Sequence, residues 1–263
     1  MKKSVIALSA LVALTGSAFA ADMAPAPRAY SKAPAVVMAP SWTGFYLFGG
    51  AGGGIWAADN GTIATATGAV LGTGQRNGGS GWYGTAGLGY DWQVNQSWVI
   101  GILADGQFGS LRGTISDTFF NFAGTETLRD SYAAGVRVGY LVAPNVLSYV
   151  NAGYSGSQWS SSALSSVSVG GPALTSTNSF NRNGWFLGGG VENNLNIFGI
   201  AAPGWFMKTE YRAAYYGSVN VPETVILTGL PAPTTPTFKT WNETVSTSLV
   251  YRFNWSGPVV AKY

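Results

Sequence analysis

Lys208, Glu210 and Arg212 take alternate positions in one short stretch, and the interleaved positions, Met207, Thr209, Tyr211, Ala213 and Tyr215, are apolar, aromatic or weakly polar. Successive side chains of a strand point to opposite faces, so this segment carries its charge on one face and a hydrocarbon-compatible surface on the other. The division recurs. Tyr132, Ala134, Val136, Val138 and Tyr140 alternate with Ser131, Arg137 and glycines, and Val245, Thr247, Leu249, Tyr251 and Phe253 alternate with Thr244, Ser246, Ser248 and Arg252. Repeated along a chain, this pattern predicts an all-β, antiparallel up-and-down transmembrane β-barrel. A soluble sheet with one wet face has the same period, and composition has to decide between the two.

Eight strands are expected, over residues 42–56, 81–93, 98–108, 128–142, 146–159, 184–196, 204–216 and 242–253. The connections alternate in length. Short ones fall at 94–97, 143–145 and 197–203, and long ones, rich in Gly, Ser, Thr and Asn, at 57–80, 109–127, 160–183 and 217–241. Short periplasmic turns and long outer loops give that rhythm. With both termini periplasmic the strand number is even; eight fits, and ten fits if a long loop hides a hairpin. Trp42, Trp56, Trp82, Trp92, Trp98, Trp159, Trp185 and Trp205 fall at the expected strand ends, where indole rings form interfacial girdles.

Charged residues make up 10% of the chain, against about 25% in soluble proteins, which favours the membrane reading. The chain opens Met1-Lys2-Lys3, continues through an apolar run over 5–14 and reaches Ala18-Phe19-Ala20, the form of a secretory signal peptide cut after Ala20. That run is shorter than the ~20 residues of a membrane helix, and a chain that crosses without helices crosses as a closed barrel. The expected organisation is a signal peptide over 1–20, an Ala/Pro-rich periplasmic linker over 21–41 with Pro25, Pro27, Pro34 and Pro40, and the barrel with a short C-terminal tail over 42–263. Removing Lys2 and Lys3 from the 14 basic residues leaves 12 against 11 acidic ones. A near-neutral chain without a basic cluster is not expected to bind nucleic acid. Cysteine is absent, so no disulfide staples the fold.

The segment Gly81-Trp82-Tyr83-Gly84-Thr85-Ala86-Gly87-Leu88-Gly89-Tyr90-Asp91-Trp92-Gln93, followed by Trp98-Val99-Ile100-Gly101 and Ala104-Asp105, resembles the second hairpin of the small outer-membrane β-barrels of alphaproteobacteria, the porin-like and opacity-like surface proteins. Trp42-Thr43-Gly44-Phe45-Tyr46 resembles that family's first strand, Gly189-Gly190-Val191-Glu192 its sixth and Lys208-Thr209-Glu210-Tyr211-Arg212 its seventh. The resemblance implies an eight-stranded barrel in the Gram-negative outer membrane, inserted by the barrel assembly machinery. Family members end on an aromatic residue that the machinery reads. Tyr251-Arg252-Phe253 has that form, but the chain runs on to Tyr263, which leaves Phe253 and Tyr263 both open as the signal.

Chemistry is sparsely equipped. Histidine, the usual proton relay near neutrality, is absent, so no enzyme activity and no catalytic residue is expected. Without His or Cys the ordinary donors for zinc, copper and iron–sulfur centres are missing too, and neither metal nor cofactor is expected. Haem binding, attributed to some relatives, is kept as a surface activity of the loops, with Phe119, Phe120 and Phe122 the first place to look; on pattern alone these extend strand three or four. Gly79-Ser80-Gly81-Trp82-Tyr83-Gly84 has the form G-x-G-x-x-G but leads into a strand, so it fails the context of a nucleotide loop.

The charges at alternation positions opposite the apolar face are Asp91, Asp105, Arg137, Glu192, Lys208, Glu210, Arg212 and Arg252, four of each sign. All are expected to point into the lumen. An eight-stranded barrel is about wide enough for side chains alone, which favours an ion-paired plug over a selectivity filter. The expected protein is an integral outer-membrane barrel with a structural and surface role in the cell envelope, whose long loops meet host, phage or haem. A narrow porin-like channel for small solutes is the alternative. Its partner is outer-membrane lipid, and a barrel without an open edge is expected to be a monomer.

Overall fold

The computed structural model describes residues 41–197 and 200–253, and in it the alternation closes into a ring. In chain order the strands are β1 (Gly44–Ala64), β2 (Val70–Gln93), β3 (Trp98–Asp117), β4 (Phe122–Ala143), β5 (Val146–Trp159), β6 (Ala163–Ser166), β7 (Thr175–Thr177), β8 (Phe180–Ile197), β9 (Ile200–Asn220), β10 (Glu223–Val225) and β11 (Thr234–Arg252). Eight of them are long. β1 to β5 pair in sequence, followed by β8, β9 and β11, and β11 returns to β1, every pairing antiparallel. Closure leaves no unpaired edge in the ring, which makes such a wall tolerable in hydrocarbon.

Side-chain parity follows the sequence pattern. On β9 Lys208, Glu210 and Arg212 are buried while Thr209 and Tyr211 are exposed; on β11 Ser246, Ser248 and Arg252 are buried while Val245, Leu249 and Tyr251 are exposed. Inward glycines make room for large neighbours: a Cβ at Gly89 would run into the Tyr46 ring and one at Gly101 into the Asp91 carboxylate.

The strands are much longer than expected. They run from 14 residues in β5 to 24 in β2, whereas about 9–11 cross a bilayer. The expected loop over 57–80 is almost entirely strand, leaving 65–69 as the connection, and the one over 109–127 shrinks to 118–121. Trp56, Ala58, Asn60 and Thr62 keep the inward parity of β1 far beyond the apolar belt. The outward positions between Trp56 and Asn60, Ala57 and Asp59, are small or charged, so the hydropathy contrast fades although the period continues. The stretch over 160–183 holds β6 and β7, and 217–241 holds the end of β9, β10 and the start of β11. β6 takes over from β5 on the edge of β4, β7 pairs with β6 and β10 with β7, so the short strands extend the wall past the ends of β5 and β8.

Phe122 opens β4, and Phe119 and Phe120 sit in the preceding turn, which Asn121 closes at φ 55. The segment with the G-x-G-x-x-G form lies wholly within β2. Trp82, Trp92, Trp98, Trp185 and Trp205 face outward, but Trp42, Trp56 and Trp159 are at most 2% exposed and belong to the interior. Trp56 shares its parity with Tyr46 and Phe48, and Trp159 shares that of Leu147 and Tyr149, so strand parity rather than position beside a turn decides which indoles reach a girdle. The expected signal peptide over 1–20, nearly all of the linker over 21–41 and the tail over 254–263 with Tyr263 lie outside the described residues. Phe253 faces outward at the end of β11.

Candidate functional site

Two layers of charge fill the interior of the barrel's near half, the end where β1 begins, β11 ends and the short turns lie. The lower layer is a closed square. Arg137 on β4 donates from Nε and Nη2 to the two oxygens of Asp91 on β2, and from Nη1 to Glu192 Oε2 on β8 at 3.1 Å. Arg252 on β11 donates to Glu192 Oε1 at 2.7 Å and closes on Asp91 Oδ2 at 2.9 Å. Each cation therefore lies between both carboxylates. Aromatic faces cover them: the Arg137 guanidinium lies 4.4 Å from the Tyr46 ring centroid, and that of Arg252 lies 4.4 Å from the Trp42 ring. Such contacts add to an ion pair in a site that water does not screen.

The second layer is built on β9. Arg212 grips Asp105 of β3 in a two-bond fork at 2.8 and 2.6 Å and reaches Glu210 Oε1 at 2.7 Å. Glu210 Oε2 accepts from Tyr149 Oη at 2.8 Å and from Asn151 Nδ2 at 3.1 Å, and lies 3.6 Å from Lys208 Nζ. Lys208 stands 3.3 Å from the centre of the Phe48 ring, and Arg212 lies 4.6 Å from that of Phe186. All eight charges at alternation positions are thus inside the barrel, each at most 8% exposed. Arg252 and Glu210 belong to different layers. Arg252 sits at the near end of β11, opposite Tyr46 of β1, whereas Ser246 is the residue opposite Glu210.

Tyr46, Tyr149 and Asn151 complete these layers and were not singled out in the sequence. Their signal was available, because Asn151 lies between the outward Val150 and Ala152 and shares the parity of Tyr149. In the far half the interior changes character. Trp56, Leu111, Ile115, Leu128, Trp159 and Phe238 pack together, with Trp56 and Trp159 edge to face at 5.1 Å, and the Trp56 indole N–H donates to the Leu111 carbonyl.

Beyond that core lie three buried carboxylates. Asp117 accepts from the hydroxyls of Thr62 and Thr234 and from the N–H groups of Phe119 and Phe120, which joins β1, β11 and the β3–β4 turn. Glu126 takes the Ser162 hydroxyl at 2.8 Å, and burial pushes its carboxyl up to about 7. Glu223 on β10 is likewise pushed up to about 7, by burial first and by the charge of Asp117 in addition. Among the described residues no lysine or arginine forms an ion pair with any of the three. They escaped notice because all three lie in segments read as loops, where parity was not applied.

No family model matches the chain. Over 234 residues it is 28% identical to the 31 kDa outer-membrane immunogenic protein of Brucella melitensis, covering 83% of this chain and 89% of that protein, and it matches the protein of the same name from Brucella suis to the same degree. Among solved structures, the outer membrane protein OprG of Pseudomonas aeruginosa aligns with a TM-score of 0.48 at 8% identity, over 80% of this chain and 97% of that one. The outer membrane protease OmpT of Escherichia coli aligns with a TM-score of 0.42 at 9% identity, again over 80% and 97%. Through the Brucella proteins, this chain is similar to the outer-membrane β-barrels of alphaproteobacteria over most of its length.

Proposed function

We propose that the protein is an integral outer-membrane β-barrel with a structural and surface role in the cell envelope, its far half standing outside the cell and its near half closed by paired charge. The observation that carries the closed lumen is the pair of charge layers: every cation in them contacts a carboxylate, and rings cover the guanidinium groups. An interior neutralised in this way gains little by admitting ions. The similarity to immunogenic outer-membrane proteins supports the surface role. Catalysis has no support in a chain without histidine, and the closed ring needs no second copy to satisfy its backbone.

The narrow channel keeps one observation in its favour. Along the inner face of β11, Thr240, Asn242 and Ser248 leave an oxygen without a protein partner, a lining of the kind that holds water. Conductance of the purified protein in planar bilayers separates the two readings. A closed barrel shows no steady current, either in the parent or in Glu210→Gln, and loses stability in the variant. A stable Glu210→Gln barrel whose current shifts toward anions would overturn the plug.

A further inference from the structure

Four connections cross the far end of the barrel, at 65–69, 118–121, 167–174 and 226–233. They turn in the same way. The N–H groups of Gly68, Gly170 and Gly229 donate to the carbonyls of Ala64, Ser166 and Val225, each glycine at φ 70, and Asn121 takes the left-handed conformation in the remaining turn. Gly and Asn adopt that conformation most readily. Hydrogen bonds tie the four into one crown: Thr62 to Thr118, Asn121 to Val167 and Ser168, Leu174 to Ile226, and Thr65 to Pro233. The crown exposes no charge. Residues 60–75, 113–128, 159–181 and 217–238 include Asp117, Glu126 and Glu223, all buried, and neither lysine nor arginine. What the turns expose is apolar: Phe119, Val167, Val169, Ile226, Leu227 and Leu230, with Val169 87% and Leu227 93% exposed. Beside them opens a cavity of ≈ 240 Å³ walled by Phe120, Phe122, Leu174 and Val225. The threonines in its lining turn to carboxylates, Thr234 to Asp117 and Thr175 to Glu223, which leaves the cavity apolar.

Large apolar side chains held out in water on a surface without charge mark a contact site. We propose that the crown docks on a second lipid bilayer, its apolar tips entering the interfacial region and its cavity receiving the end of an acyl chain. The proposal rests on the reading that the far half stands outside the cell. Three observations favour lipid over a protein. Single side chains raised on convex turns enter a medium that yields, whereas a protein would need matching pits. The exposed charges that would set a protein partner's orientation are absent from the crown. Polarity also falls along the exterior from Asp59, Arg76 and Arg112 to the apolar tips, the order of an approach to hydrocarbon. The protein's own bilayer is out of reach of the crown. From Ile55 in the apolar belt to Ala64, β1 covers roughly 30 Å of strand, with the exposed Asp59 between them. Haem, whose carboxylates call for cations, meets none on these turns.

The test mixes the full barrel in lipid nanodiscs, which leave both ends free, with phosphatidylcholine vesicles and follows flotation. The parent should float with the vesicles, equally at low and high salt. Val169→Asp combined with Leu227→Asp should weaken binding at least tenfold while keeping the parent's unfolding midpoint, since both side chains lie in water. Leu227→Trp should shift its emission to the blue on binding and be quenched by vesicles with brominated acyl chains. Equal flotation of the parent and the double variant, or binding that needs anionic lipid and fades with salt, overturns the proposal. Pairing of nanodiscs without vesicles, abolished by the same double variant, overturns it in favour of a second copy of the chain. The outside reading is tested separately by labelling Ala66→Cys on whole cells with an impermeant maleimide, in a chain without native cysteine. An unlabelled Ala66→Cys fails that reading alone, and lost flotation fails the docking alone.

Discussion

Along β11, Arg252, Ser248 and Ser246 face inward and Tyr251, Leu249 and Val245 outward, whereas farther up the same strand Phe238 faces inward and Lys239 outward. One strand thus serves two solvents. In the near half the exterior meets hydrocarbon and the interior must satisfy charges that water would otherwise hold. In the far half the exterior meets water, carrying Asp59, Arg76 and Arg112, and the interior is packed with Trp56, Trp159 and Phe238 as in a soluble β-barrel. Backbone pairing runs through both halves, so the difference lies in which face holds the polar groups. It teaches that the period of a strand sets the face, and the medium outside sets what the face carries.

The largest expected effect is in the near half. Asp91→Ala leaves Arg137 and Arg252 facing each other with Glu192 as their remaining carboxylate, and removing one partner of a buried ion pair costs about 3–5 kcal/mol. Unfolding by urea from lipid vesicles should show that loss; one under about 1 kcal/mol would mean that water already screens the square. Trp56→Ala in the far half should cost a similar ~3–5 kcal/mol as a cavity in a packed core. The two should differ in reach. Amide exchange should rise in the far parts of β1, β3 and β11 after Trp56→Ala and stay unchanged around Arg137, and opening of the whole barrel would show the halves to be one cooperative unit.

An outward substitution tests the media directly. Leu249→Arg places a charge in the apolar belt at about 2–4 kcal/mol near the midplane, while Thr237→Arg on the same face of the same strand should stay within about 0.5 kcal/mol. Equal costs would mean that the hydrocarbon reaches farther up β11 than the exterior charges suggest.

The near half was legible in the sequence because its two faces differ sharply in polarity. Lys208-Thr209-Glu210-Tyr211-Arg212 states its parity within five residues, and the eight interior charges follow from it. Pairing was not legible, since which arginine meets which carboxylate depends on the stagger between strands and on distances across the lumen. The far half was hidden for the opposite reason. Along β3 Leu111 and Ile115 keep the inward phase of Leu103 and Asp105, but the irregularity in the β3–β4 register near Leu111 shifts the phase of β4, whose inward residues pass from Arg137 and Ala133 to Leu128 and Glu126, and glycine and threonine are common on both sides. A stretch of that composition reads as loop until its partner strand is seen. The buried carboxylates went unread with it: Glu126 and Glu223 are covered by residues in and beside β6, β7 and β10, none of which exceeds four residues, and Asp117 by threonines at the far ends of β1 and β11.

The halves should also differ in their response to pH. Glu126 and Glu223 carry folded-state values raised from 4.5 to about 7, so the folded state holds more protons than the unfolded one between those values. Their contribution is fully present below about pH 4.5 and is lost as pH rises through about 7. Exchange protection in β6, β7 and β10, corrected for intrinsic rates, should fall between pH 5 and pH 8, and Glu126→Gln should remove part of that dependence. Protection that rises over this interval would contradict the sign.

The smallest effect makes the sharpest comparison, because it sets the same chemistry in both environments. Arg76 and Asp59 form an ion pair at 3.7 Å on the exterior of the far half, with side chains 66% and 60% exposed, while Arg212 and Asp105 form one inside the near half with side chains 7% and 1% exposed. Water surrounds the first pair, salt screens it, and holding two mobile side chains together offsets the attraction, so exposed pairs contribute about 0–1 kcal/mol. Asp59→Asn should therefore be nearly silent in vesicle unfolding, and raising the salt concentration should not change that result. Asp105→Asn takes one partner from a buried fork and leaves Arg212 with Glu210, which Lys208 already shares. It should cost several times more than Asp59→Asn and should be insensitive to salt. Matching losses, or a loss at Asp105 that shrinks as the salt concentration is raised, would mean that ions reach the interior pair from solution. The lumen would then be open, and the closed plug would give way to the channel.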